Sequence, residues 1–151
     1  MKRVLLAATV FAGLGVAHAD PSDVAGFWLT ESQGAIVEIA DCGDTTPCGT
    51  VVWYDKETAT AHTDIYNPDP ELQSRPIVGM EMLSGFKRRG ERWRRGKIYN
   101  AEDGKTYGSG INIRDDGNLT VKGCIGPLCQ TQVWTPVAAD DLRLAAEEVA
   151  S

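Results

Sequence analysis

The stretch Gly96-Lys97-Ile98-Tyr99-Asn100-Ala101-Glu102-Asp103-Gly104-Lys105-Thr106-Tyr107-Gly108 decides the fold. Asn, Asp and Gly crowd its middle, where positive φ and side-chain-to-backbone hydrogen bonds make turns easy. The flanks echo each other: Lys97-Ile98-Tyr99 runs in and Lys105-Thr106-Tyr107 runs out. A β-hairpin is expected. With a five-residue loop, Asn100 to Gly104, Tyr99 lies opposite Lys105 and Lys97 opposite Tyr107. All four side chains then share one face, because strand side chains alternate. A loop one residue shorter on one side slips the register and splits the set between faces. Ile111 and Ile113 have the parity of Tyr107, which makes that face the inward one. Lys97, Tyr99, Lys105 and Tyr107 are therefore the candidate ligand-binding residues. Two tyrosines would line the mouth of an apolar interior, and a lysine at the rim would suit a carboxylate or phosphate head. The plainer reading is a packed hairpin whose lysines reach water.

Working outward, the chain reads as short strands between turns. Before the hairpin come Gly26 to Ser32, Ala35 to Ala40, Gly49 to Tyr54, a long strand Ile77 to Arg88 bent at Gly85, and Arg92 to Tyr99. After it come Lys105 to Ile113, Leu119 to Ile125 and Gln130 to Val137. Asp55 to Arg75 is a long polar connection, with Pro68 and Pro70 in its second half and Pro76 just beyond. Eight short antiparallel strands, each beside its sequence neighbour, predict an all-β up-and-down barrel; a two-sheet sandwich is the alternative. Ala139 to Ala150 reads as a short helix capped by Asp140 or Asp141, with Leu142, Ala145, Ala146 and Val149 on one side.

Met1 to Ala19 reads as an export signal cleaved after Ala19. Lys2 and Arg3 precede an uncharged apolar run, Val4 to Val16, and Ala17-His18-Ala19 has the small-x-small form of a cleavage site. The expected location is the periplasm. Residues 20–137 would form the barrel domain and 138–151 a helical tail. Losing Lys2 and Arg3 takes the formal charge from −6 to −8, which speaks against nucleic acid as a partner. The four cysteines suit an oxidising compartment. Cys42 with Cys48, and Cys124 with Cys129, each bracket a turn, so local pairing is expected, each bridge contributing about 2 kcal/mol. The spacings C-x5-C and C-x4-C are looser than those of a zinc ribbon, against a four-thiolate metal site.

Two resemblances follow from these residues. Gly26-Phe27-Trp28 resembles the Gly-x-Trp opening of lipocalins. A longer series is similar to DUF2147, a bacterial family of exported proteins: Cys42-Gly43 with Cys48 to Trp53, Asp64 to Pro70, Arg75 to Gly79, Gly96 to Tyr107, and Gly123-Cys124 through Trp134-Thr135. Residues from Ala138 onward lie outside that pattern. The resemblance implies an eight-stranded lipocalin-like barrel and carries no reaction, ligand or active site.

No catalytic residue, metal ligand set or cofactor motif is singled out. Asp64, Asn67, Asp69 and Glu71 cluster in one loop, but without the order of a calcium loop they read as turn formers facing water. His62 reads as a surface histidine. Thr30 with Glu31, or Tyr99 with Lys105, carry no feature that marks an acid–base pair. Lys87, Arg88, Arg89, Arg92, Arg94, Arg95 and Lys97 crowd into eleven positions around Trp93. Lys87 to Arg95, Trp93 included, form a candidate docking edge for an anionic envelope surface. The plainer reading is a strand edge guarded by charge. Trp28 is expected to close one end of the barrel, with Trp53, Trp93 and Trp134 left open. The function expected is non-enzymatic binding of a small apolar or amphipathic, anionic ligand. The alternative is a filled barrel that docks partners through the Arg-rich edge.

Overall fold

The computed structural model describes residues 23–150; the expected export signal, residues 1–19, lies outside them. The strands are β1 (Gly26–Leu29), β2 (Ala35–Asp41), β3 (Pro47–Tyr54), β4 (Glu81–Ser84), β5 (Lys87–Arg89), β6 (Arg92–Asn100), β7 (Lys105–Ile113), β8 (Leu119–Ile125) and β9 (Leu128–Pro136), followed by helix α1 (Ala139–Ala150). Pairing is antiparallel throughout, and β1 with β9 and β4 with β6 close the ring. β4 and β5 both pair with β6 and are two halves of one stave, bent at Gly85, whose φ is 72°. The nine segments thus build the expected eight-stave, up-and-down barrel. The bent stave starts later than expected. Ile77 to Met80 forms a turn, closed by the Met80 N–H donating to the Ile77 carbonyl at 3.2 Å.

Alternation places the core. Val37 and Ile39 on β2, Val51 on β3, Ile111 on β7, and Leu119 and Val121 on β8 point inward and are buried. One end of the barrel is filled with large rings: Trp28, Trp93, Trp134 and Phe86. Each buried indole N–H finds an acceptor, as such groups require. Trp28 donates to the Val24 carbonyl at 3.0 Å, Trp93 to Asp23 at 3.0 Å, and Trp134 to Gln132 at 2.8 Å. Trp28 therefore packs at the closed end, and Trp93 and Trp134 join it, while Trp53 stays half-buried. Gly96 is needed there, since a Cβ would overlap the Phe86 ring.

Both disulfides are the local ones, Cys42–Cys48 and Cys124–Cys129, and they tie the β2–β3 and β8–β9 hairpins near their turns. Asp140 and Asp141 do not cap α1. They lie in its first turn, and the Ala138 carbonyl accepts from Leu142 N–H at 3.3 Å. Their charge suits the helix N-terminus from there. Of the expected apolar stripe, Leu142 is half-buried; the side chains of Ala145, Ala146 and Val149 lie outside the described residues.

Candidate functional site

The β6–β7 hairpin turns more tightly than its sequence suggests. Asn100 pairs with Lys105, Tyr99 with Thr106, and Ile98 with Tyr107. The loop is Ala101 to Gly104. The Gly104 N–H donates to the Asn100 carbonyl at 2.9 Å, and Asp103 accepts from the Lys105 N–H at 3.0 Å. Asn100 and Asp103 stabilise the turn with their own side chains, so one residue fewer suffices. The four candidate residues are consequently split. Tyr107 faces inward beside Ile98, whereas Lys97 and Tyr99 take the outer face. Lys105 is exposed and outside the cavity lining. The shared face expected for Lys97, Tyr99, Lys105 and Tyr107 does not form, and an anionic head loses its lysine partners.

Above the tryptophans the barrel is hollow. A cavity of about 1010 Å³ opens at the end that carries the β6–β7 and β8–β9 turns. Its lower walls are apolar: Val51, Met82, Ile98 and Val121. Nearer the mouth they become hydroxylic and amidic, with Thr30, Tyr54, Thr58 and Tyr107, and with Gln130 from β9; Gln132 lines the cavity lower down, opposite Val121. Ile125 and Leu128 form an apolar lip, 61% and 79% exposed. The connection after β3 lines one side of the opening from Asp55 to Thr63. His62 is exposed there, with Nδ1 3.2 Å from the Tyr54 hydroxyl.

On the outer face the same connection is strapped to the hairpin. Asp64 is fully buried, not solvated as its acidic loop suggested. Its carboxylate accepts from the Tyr99 hydroxyl, from Asn67 Nδ2 at 2.6 Å, and from Arg75 Nε and Nη2 at 2.9 and 2.8 Å. The Arg75 guanidinium also lies 5.5 Å from the centre of the Tyr99 ring. Burial pushes the Tyr99 phenol up to about 12, helped by its hydrogen bond to Asp64 and by that carboxylate's charge. A side chain at Gly104 would overlap the Tyr66 carbonyl, so the strap sits directly on the turn. The set Asp64, Asn67, Arg75 and Tyr99 escaped the sequence reading. Its only signal was that Asp64 to Pro70, Arg75 to Gly79 and the hairpin all carry the family resemblance.

The basic hairpin also divides. Arg88 and Trp93 form a cross-strand pair and leave the proposed edge. Trp93 is buried, and Arg88 stacks on its ring at 5.1 Å and pairs with Asp23. Lys87 stands opposite Arg94, and Arg89 opposite Arg92, all four exposed on the other face. Arg95, with φ 59°, is exposed at the bulge that follows. None of these five makes an ion pair among the described residues.

Residues 26–136 match a family described as an uncharacterized protein conserved in bacteria, DUF2147. The chain belongs to that family. The matched span holds the whole barrel and the strap, and ends before α1. Among solved structures, the chain is similar to protein HP1028 from Helicobacter pylori, described as belonging to the lipocalin family. The TM-score is 0.69 at 23% identity, over 81% of this chain and 88% of that one. That likeness shows the DUF2147 barrel to be lipocalin-like. No curated protein matches. No helix among the described residues is long and apolar enough to cross a membrane.

Proposed function

We propose that this protein is a non-enzymatic binding protein of the bacterial periplasm, holding a small apolar or amphipathic molecule in the mouth of its barrel. One observation carries the reading: a cavity of about 1010 Å³, apolar below and polar above, in a barrel whose other end is packed solid. That volume is at the upper end for small-molecule sites, and the distribution of apolar wall and few polar groups is the usual one. Tyr107 is the one candidate hairpin residue in the lining. The periplasmic location is supported by the signal-like residues 1–19 and by two disulfides.

Gly123 offers the test. It lines the cavity, and a Cβ there would meet only Ile98 and Tyr107 at ordinary contact distances of 3.6 and 4.0 Å. Gly123→Leu should intrude on the cavity between Ile98 and Tyr107, leave the fold intact, and weaken uptake of a hydrophobic dye severalfold by fluorescence titration. Equal uptake by wild type and variant would sink the reading.

The five exposed cations support a second reading, docking to an anionic envelope surface. Like charges directly opposite in a ribbon repel each other, so this face costs stability without an anion. Guanidinium forks also match phosphate geometry. Arg89, Arg92 and Arg94 replaced by Ser should abolish low-salt binding to phosphatidylglycerol-containing vesicles. If the wild type itself ignores such vesicles, the docking idea fails.

A further inference from the structure

Resting on the proposed binding reading, we infer that the cavity selects a ligand with a neutral or cationic head and rejects carboxylates and phosphates. The charged residues in its lining are Asp55 and Glu102, both acids. No Lys or Arg among the described residues lines it. Lys97 and Lys105 are exposed outside it, and Arg75, the basic residue of the strap, is committed to Asp64. The two carboxylates both stand at the mouth, on staves that have only β4 between them. Asp55 follows β3, and Glu102 is in the β6–β7 turn. Asp55 is held as an anion, since Thr58 Oγ1 at 2.7 Å and the Glu57 N–H at 2.9 Å both donate to it and lower its pKa. The remaining polar lining groups are hydroxyls and amides such as Thr58, Tyr54 and Gln132, which donate or accept without charge. The formal charge of −6 adds a field of the same sign.

An anionic head would thus enter beside two carboxylates with no counter-charge, whereas an ammonium head is attracted by both. At separations of several Å in a wet mouth, the difference is roughly tenfold in affinity or more. A hydroxyl head, indifferent to the charges, falls between.

The experiment compares three probes with one twelve-carbon tail on the protein purified from the periplasm: dodecyltrimethylammonium, dodecanol and dodecanoate. Each displaces a bound neutral dye, and Gly123→Leu is run in parallel. The expected order is ammonium, then alcohol, then carboxylate, with all three weakened in Gly123→Leu. Glu102→Lys, on an exposed turn, should erase most of the ammonium-to-carboxylate ratio. Dodecanoate binding as well as the ammonium probe, with sensitivity to Gly123→Leu, would overturn the charge selection and leave the binding reading standing. Ammonium binding that persists in Gly123→Leu would mark surface attraction and also overturn it. Failure of all three probes to bind would overturn both.

Discussion

A phenol that donates to a buried carboxylate resists ionisation twice: it must give up the bond and then bear a like charge beside it. Tyr99 is in that position against Asp64, and burial first, then that bond and that charge, push its pKa up to about 12 from an ordinary 10.0. A group whose folded pKa is raised contributes stability that is whole below the unfolded value and lost as pH rises through the folded one. For Tyr99 the window is therefore about pH 10 to about pH 12. Tyr99→Phe should cost about 1.5–3 kcal/mol near neutrality, as expected for a hydrogen bond to a charged group. Urea unfolding of both proteins across the pH range checks it: the gap between them should be constant up to about pH 10 and shrink above. A gap that widens in alkali would refute the assignment of the bond.

At the scale of elements, the β6–β7 hairpin was legible as a hairpin and illegible in register. Asn, Asp and Gly announce a turn, but whether Asn100 belongs to the loop or to the strand depends on hydrogen bonds its side chain makes after folding. A one-residue error reverses strand faces, which is why Tyr107 was placed correctly and Tyr99 was not. The strap was harder still. Asp64 and Arg75 are 11 residues apart, and Tyr99 is 35 from Asp64; only the closed barrel brings them together. Gly104 joins strap to hairpin, with φ 67° and no room for a Cβ beneath the Tyr66 carbonyl. Gly104→Ala should cost at least about 1–2 kcal/mol from backbone conformation alone. It should also lift the strap, so the Asp64 and Asn67 amides, now bonded to the Arg75 and Asp64 carbonyls, should lose protection from hydrogen exchange. Full protection at those two amides would show that the strap holds without its seat.

For the molecule as a whole, the sequence pattern revealed the order of staves but not which end was hollow. Period-2 alternation gives inside and outside; it says nothing of how much of the inside is filled. The filled end is set by Trp93 and Trp134, whose burial rests on polar partners far away in the chain or on the neighbouring inward position, Asp23 and Gln132. The basic hairpin lies at that filled end, where β6 begins at Arg92, and the cavity lies at the other, where β6 ends at Asn100. A nine-residue strand is about 30 Å long. A surface held by the arginines would therefore leave the opening free.

The ring itself has one weak clasp. Where β1 meets β9, two residue pairs join them, Trp28 with Pro136 and Leu29 with Thr135, and proline brings no N–H to the pairing. Beyond it, the Val137 N–H reaches the Phe27 carbonyl at 2.8 Å. The β3–β4 ladder also has two residue pairs, but two further bonds extend it, Val51 N–H to the Met80 carbonyl at 2.9 Å and Gly79 N–H to the Val51 carbonyl at 2.8 Å. The remaining junctions have longer ladders, or the company of a second half-stave, as β4 and β5 share β6. The barrel should consequently unzip from this clasp, with β1 peeling away first while β6, β7 and β8 stay annealed. Residue-resolved hydrogen exchange under mild denaturant should show Leu29 opening before Ile111 and Val121. A molecule built as a closed loop would then behave, under stress, as a curled ribbon with a known place to tear.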